Sequence, residues 1–470
     1  MTTASPTLAR PARIARATSL RDAFGPLGVR NYRLYVASQV LMNTSGWAAR
    51  VAQNWLVLSL TGSTALVGLT VAFQFAPSVA FGLHGGVVAD RYSRRTILVV
   101  TQLSFALSML GIGLLAVTGH VRPWHVLLAA ALTGVTIAYD NPSRQAFVYE
   151  IAGPEHMRRA ISINSAVFQL GALVGPAVAG VLISAVGEGW AFLLNAAACF
   201  IAMGLVVAMR VSELEPTQTV VRAKGQLREG LAYSRRQPAV LWPTVLIGAA
   251  ALTGINMTTV LAAYTDDVFR DGAGGYALLT SMLAVGGVVG SLVSTRSTRT
   301  RLRHLAGYAA VIGALLLALA ATSSHALFLV LLVALGTVAL VYLTGSNSLV
   351  QQVVPDELRG RVMALYLLVL VGAQAASGVI VGWVSEHGGA PLAMVVSAAG
   401  PLLGALAVAW AIARGEGMHP RDVVPQLPRR AVWRPVAPDP APAGADVLPA
   451  VAANDAVPAP RRPGAVSSLS

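Results

Sequence analysis

Three groups of residues in this chain could do chemistry beyond filling space. The first is a knot of four charges in six residues, Asp90, Arg91, Arg94 and Arg95, inside a chain that is 55% hydrophobic. The second is Asp140 with Arg144, four residues apart, where a helix places carboxylate and guanidinium on one face. Such a carboxylate can take and release a proton while the guanidinium tunes its affinity; the pair can equally be a structural salt bridge. The third is Arg50, a lone charge in an apolar run. At helical spacing Asn43, Trp47, Arg50 and Asn54 share one stripe, with Gln53 beside it, and a polar stripe in a bilayer faces protein or water. Arg50 can snorkel, or face a cavity and meet an anionic group. Gln74, Asn195, Asn256, Asn347 and Gln374 stand singly in apolar runs, as helix-to-helix hydrogen bonds or as ligand contacts.

Enzyme chemistry finds little support. The eight histidines lie near the ends of apolar runs, in loops or in the tail, so no convergent catalytic set and no metal site is assigned. Cys199 stands alone and can form neither an intramolecular disulfide nor a cysteine-based metal site; it reads as a small apolar filler. Lys224, the sole lysine, is followed by glycine, so the phosphate loop G-x-x-x-x-G-K-[ST] cannot occur. No catalytic residue and no cofactor is expected.

The elements that must position these groups follow from composition. Only 11% of residues are charged and mean hydropathy is +0.65, against about 25% charged in an average soluble domain. A spanning helix needs about 20 apolar residues, and twelve such runs occur: 33–56, 64–84, 96–118, 124–147, 162–184, 190–209, 240–264, 276–295, 305–322, 326–349, 362–385 and 390–413. The expected fold class is an all-α integral membrane protein with twelve transmembrane helices in two six-helix bundles. The expected organisation is a basic N-terminal segment (1–32), an N-terminal bundle (33–209), a polar linker (210–239), a C-terminal bundle (240–413) and a Pro- and Ala-rich disordered tail (414–470). Residues 1–30 carry arginines but no apolar core, so the first run is expected to be a retained helix.

Basic residues mark cytoplasmic loops. Of the 34 lysines and arginines, Arg122 and Arg270 fall in the loops of one side, Arg50 falls within a run, and the rest gather on the other side. Both termini are therefore expected in the cytoplasm of a multi-pass cell-membrane protein. The net charge of +14 then reflects topology and attraction to the lipid bilayer, and no nucleic-acid partner is expected.

An internal repeat supports two bundles. Pro154, Glu155, Met157 and Arg158 match Pro355, Asp356, Leu358 and Arg359, and Gly171 matches Gly372, all at an offset of 201. GVVADRYSRR from Gly86 pairs with GSLVSTRSTR from Gly290, with Ser294 in place of Asp90.

With these residues in view the chain resembles the major facilitator superfamily of secondary transporters over most of 30–413. GGVVADRYSRR is similar to that family's loop motif between helices 2 and 3, carried by Gly86, Asp90, Arg91, Arg94 and Arg95. GALVGPAVAG is similar to its antiporter motif, with Gly171, Gly175, Pro176 and Gly180 in register. WAARVAQNWLVLSLTGS, GGVVADR and DNPSRQAF resemble the branch of enterobactin exporters and transmembrane secretion effectors. The resemblance implies gating by the loop motif, which latches helix 2 to the other half at the inner face. It also implies a charge relay through Asp140 and Arg144, and outward exchange of substrate for protons. Bottom-up, the motif glycines permit close helix packing, and Pro176 removes a donor and bends helix 5.

The expected activity is alternating-access, proton-coupled export of small amphipathic molecules, drug-like or siderophore-like, by a monomer. The expected cavity residues are Asn43, Trp47, Arg50, Gln53, Asn54, Gln74, Asn256, Asn347 and Gln374. The alternatives are a non-drug metabolite exporter or an importer of the same fold, or a permease subunit of another system.

Overall fold

A computed structural model describes residues 25–213, 226–254, 257–295 and 300–414, all within one compact unit, Met1–Pro425. Asn256, Lys224, the arginines at 296 and 299 and the tail beyond 414 lie outside the described residues.

The described chain is almost wholly helical: α1 (Arg30–Thr61), α2 (Thr64–Arg91), α3 (Arg94–Val117), then one helical run Pro123–Val186 that Gly153 divides into α4 (123–152) and α5 (154–186), and α6 (Glu188–Val207). A short helix, α7 (Gln226–Arg236), leads to α8 (Pro238–Thr253), α9 (Thr258–Ala263), α10 (Gly272–Ser294), α11 (Leu302–Ala321) and α12 (His325–Val353). The last run, Asp356–Ala413, is divided at Gly389 into α13 (356–388) and α14 (390–413). Among the described residues nine stretches are long and apolar enough to cross a membrane. The break at Gly389 makes two of the last one, and α1 and α4 complete the twelve. Those two are absent from the nine because they carry the polar side chains singled out above.

Local chemistry sets the boundaries. Gly62 closes α1 in the left-handed region (φ 63°) with its N–H on the Leu58 carbonyl, as a C-terminal glycine does. Ser63, Ser93 and Ser324 cap α2, α3 and α12, each accepting from a backbone N–H three residues on. Gly187 (φ 85°, ψ 166°) and Gly389 (φ 78°, ψ 165°) adopt one conformation at corresponding turns, α5 to α6 and α13 to α14. The repeat seen in the sequence thus recurs in the backbone.

Three boundaries differ from expectation. The run predicted over 240–264 is helical to Thr253 and again from Thr258, with 255–256 outside the described residues, and ends in a π-helical turn, Tyr264–Phe269. Continuous hydrophobicity hides such a π-helical turn, which backbone geometry alone decides. The fourth run, expected to end at 147, continues to 152 and so includes Glu150. The linker at 210–239 contains the helix α7.

Helices α1 to α6 pack among themselves and α8 to α14 among themselves, and the two sets meet through α2 against α13 and α5 against α10. The turns at 92–93 and 354–355 and the C-terminal ends of α6 and α10 lie at one end of the bundles, here called the arginine-rich end; the turns at 62–63, 118–122, 270–271 and 322–324 lie at the other, arginine-poor end.

Candidate functional site

The crossing of α2 and α4 rests on two prolines. Pro142 has no N–H, so the Ala138 carbonyl loses its helical donor; a Cβ on Gly85 would sit 2.1 Å from that oxygen. Reciprocally, Pro77 frees the Phe73 carbonyl, and a Cβ on Gly134 would sit 2.8 Å from it. Helical dihedrals persist through Pro142 and Pro176, with Gly153 the non-helical residue reported in that run.

This close crossing places Asp140 against α3 and α1. The Asp140 carboxylate accepts from Thr101 Oγ1 at 3.1 Å and from the Arg144 guanidinium. Arg144 also donates to Gln39 Oε1, and Gln39 in turn holds Asn43, whose Nδ2 donates to the Gln39 carbonyl at 2.8 Å. The buried Tyr35 hydroxyl stands beside the pair without a hydrogen-bond partner. Each charge alone would cost about 2.5–3.5 kcal/mol at mid-membrane on insertion scales; pairing removes the net charge, and the hydroxyl and amide satisfy part of what remains.

In the charged knot, Arg94 pairs with Glu150 of α4. Arg95 donates through Nε to the Val206 carbonyl at 3.2 Å and through Nη2 to the Val207 carbonyl at 2.5 Å. That contact puts a cation on the C-terminal end of α6, where the helix dipole favours it. Arg91 is exposed, Asp90 half-buried and Gly86 buried. Arg94 and Arg95 are thus tied within the first six helices in this conformation. The sequence reading missed Gln39, Thr101 and Gly85 as partners and gave Glu150 no partner. Glu150 was legible as a second acidic residue near Arg144; no signal marked the others.

The polar stripe of α1 faces protein. Gly171 and Gly175 of α5 press on it: a Cβ on either would sit 2.7 Å from Asn43 Cβ and 2.5 Å from Trp47 Cβ, respectively. Trp47 meets Phe168 edge-on, with centroids 5.9 Å apart. Gln74 Nε2 donates to Gln53 Oε1 at 3.0 Å, joining α2 to α1. Asn195 donates to the Ser45 carbonyl at 3.1 Å, a helix-to-helix bond. Asn347 accepts from Gln351 within α12, and Gln374 is half-buried in α13. The stripe is therefore assembled, whereas among the described residues no hydrogen bond or ring contact joins Asn347 or Gln374 to it.

Contacts between the two helix sets gather at the arginine-poor end. Asn54 Nδ2 donates to Tyr276 Oη at 3.2 Å, and Trp55 stacks on the same ring. Glu386 Oε2 accepts from Thr64 Oγ1 at 3.2 Å and from the Ala65 N–H at 3.1 Å, a carboxylate on the N-terminus of α2. A Cβ on Gly68 would sit 2.0 Å from the Gly378 carbonyl, and one on Gly180 would sit 2.2 Å from Ala277 Cβ.

Comparison with known proteins fits this architecture. The chain is 24% identical over 264 residues to the staphyloferrin A transporter of Staphylococcus aureus (strain NCTC 8325 / PS 47), covering 56% of this chain and 66% of that one. It is 26% identical to the multidrug efflux pump Tap of Mycolicibacterium fortuitum, over 67% of this chain and 79% of that one. It is 23% identical to the enterobactin exporter EntS of Escherichia coli O1:K1 / APEC, over 74% and 83%. The chain thus spans slightly under two thirds of the first of these relatives and more of the other two. Among solved structures, the nucleoside transporter NupG superposes with TM-score 0.63 at 13% identity, over 82% of this chain and 98% of that one. A D-xylose-proton symporter gives 0.63 at 15%, over 80% and 96%; at such identities the likeness is one of fold. Residues 21–438 match the family described as transmembrane secretion effector, and the chain belongs to that family of major facilitator superfamily transporters.

Proposed function

We propose that the protein is a proton-coupled antiporter that exports small amphipathic molecules across the cell membrane by alternating access, as a monomer of two bundles with both termini in the cytoplasm. The observation that carries this reading is the seam closed at the arginine-poor end by Asn54–Tyr276 and Glu386–α2. With the arginine-rich end in the cytoplasm, that seam is the outer gate in its closed state, and the antiporter motif lies against the stripe that would line the cavity. Asp140 is the proposed proton carrier and Arg144 its counter-ion; Asp90, Arg91, Arg94 and Arg95 gate the inner face once it closes. The siderophore and multidrug transporters among its relatives support an exporter of drug-like or siderophore-like cargo.

The test is uptake into inverted membrane vesicles of labelled anionic, neutral and cationic amphiphiles, with and without a proton gradient, for the wild type and Asp140→Asn. Gradient-driven uptake that the substitution abolishes supports the reading. Uptake that needs ATP and ignores the gradient overturns it, and uptake driven equally well in the variant removes Asp140 from coupling.

A further inference from the structure

Among the described residues Arg50 is an interior cation without a carboxylate. Its guanidinium carbon stands 4.9 Å from the Trp47 ring centroid and 5.6 Å from that of Phe75. No carboxylate lies within ion-pair reach of it among the described residues, whereas Arg94 and Arg144 each have one. Asp140 and Glu150, the acids inside α4, are thus already engaged by other arginines.

Position decides where Arg50 looks. Asn54, one turn further on, touches Tyr276 across the seam, and residues four apart share a helix face. Arg50 therefore lies on the helix face that meets the second set one turn further on, with its guanidinium between the Trp47 and Phe75 rings. Trp47, one turn earlier on the same stripe, is propped by Gly175 and Phe168. Beside this stripe the Gln53 amide accepts from Gln74 through its oxygen, and its buried Nε2 has no acceptor. The surroundings are thus a planar cation whose donors have no acceptor among the described residues, with aromatic faces on two sides.

We infer that Arg50 is the specificity residue of the transport cavity, and that it binds the carboxylate of an aromatic or otherwise apolar anion whose body lies against Trp47 and Phe75. A guanidinium fork matches a carboxylate through two parallel N–H donors, which an ammonium cannot reproduce. Cation–ring contacts hold the fork in place before the ligand arrives. This inference rests on the transporter reading above and names its substrate class.

The experiment measures binding without transport. Wild-type protein in phosphatidylcholine nanodiscs, with no gradient, is titrated with dansylglycine and with the neutral dansylglycinamide, and empty nanodiscs give the background. The carboxylate is expected to bind at least tenfold tighter than the amide. Arg50→Gln is expected to bring the carboxylate down to the level of the amide while leaving the amide unchanged, and Arg50→Lys to keep part of the preference. Equal wild-type affinity for the two probes overturns the inference, as does an Arg50→Gln protein that loses both equally. The wild-type ratio decides the matter even if that variant fails to fold. Preference for the carboxylate without gradient-driven uptake in vesicles would overturn antiport and leave this site standing; gradient-driven uptake without preference would do the reverse.

Discussion

The two six-helix sets share a repeat, yet they solve the problem of buried polarity in opposite ways. Buried polar groups in the first set include the amides of Gln39, Asn43, Gln53, Asn54, Gln74, Gln102 and Asn195 and the carboxylate of Asp140. In the second set the described buried polar groups are mostly hydroxyls: those of Thr259, Ser281, Ser346, Ser377 and Ser385 have no hydrogen-bond partner, and those of Thr244, Thr265, Thr280 and Ser397 bond back to their own helix, four residues earlier. A hydroxyl can satisfy itself in this way. An amide offers two donors as well as an acceptor and must reach a neighbour. Networks therefore form in the first set: Asp140, Arg144, Gln39 and Asn43 link α4 to α1, and Gln74 with Gln53 links α2 to α1. Helix crossings, by contrast, are built alike. A Cβ on Gly290 would sit 2.4 Å from the Thr337 carbonyl at the α10–α12 crossing, much as Gly85 meets Ala138 at α2–α4. The difference teaches that the duplication kept the packing and let the chemistry concentrate on one side.

The strongest attempt to break this comparison is Asp140→Ala. Removing one partner of a buried ion pair is expected to cost about 3–5 kcal/mol, read as a large fall in thermal midpoint. The double variant Asp140→Asn with Arg144→Gln should recover much of it. A single variant as stable as the wild type would mean that the network carries no stability.

Packing should instead respond equally on both sides. Gly85→Ala and Gly290→Ala each push a methyl into a backbone carbonyl, and each should destabilise by about 1–3 kcal/mol. Unequal costs, measured by thermal unfolding in one detergent, would separate crossings that the geometry makes equivalent.

Glu386→Gln tests the seam. Loss of the charge on the α2 N-terminus is worth about 0.3–1 kcal/mol, so the open population at the arginine-poor end should rise roughly two- to fivefold. Distances between spin labels placed across that seam report it, and an unchanged distribution would remove Glu386 from the gate. Smallest of all, Thr244→Val should change stability by less than about 0.5 kcal/mol, since its hydroxyl serves only its own helix; a chemical denaturation curve showing a larger loss would reveal a cross-helix role.

Much of this was legible in the sequence. Length and spacing of the apolar runs pointed to twelve helices, and eleven of them persist as uninterrupted elements, because a bilayer leaves a hydrophobic run few alternatives to a helix. Asp140–Arg144 and the stripe of α1 were visible as charges and amides where lipid would reject them. The partners of those residues were not visible. Gln39 looks like any other polar residue at the start of a span, and nothing local relates Thr101 to Asp140. The π-helical turn that ends the seventh span leaves no mark in hydrophobicity.

What the sequence alone determined is therefore everything governed by transfer from water to lipid: which segments span, which end carries the arginines, and which polar residues had to face protein. Tertiary structure decided which of those residues meet. Arg94 of α3 meets Glu150 of α4, Arg144 of α4 meets Gln39 of α1, and Arg50 of α1 meets the Phe75 ring of α2 because of how these helices cross, and the crossing of α2 with α4 depends on glycine and proline contacts at ångström scale between residues tens of positions apart. Chain spacing reports the free energy of insertion, which adds up locally; it does not report the pairing of surfaces, which depends on the fold as a whole.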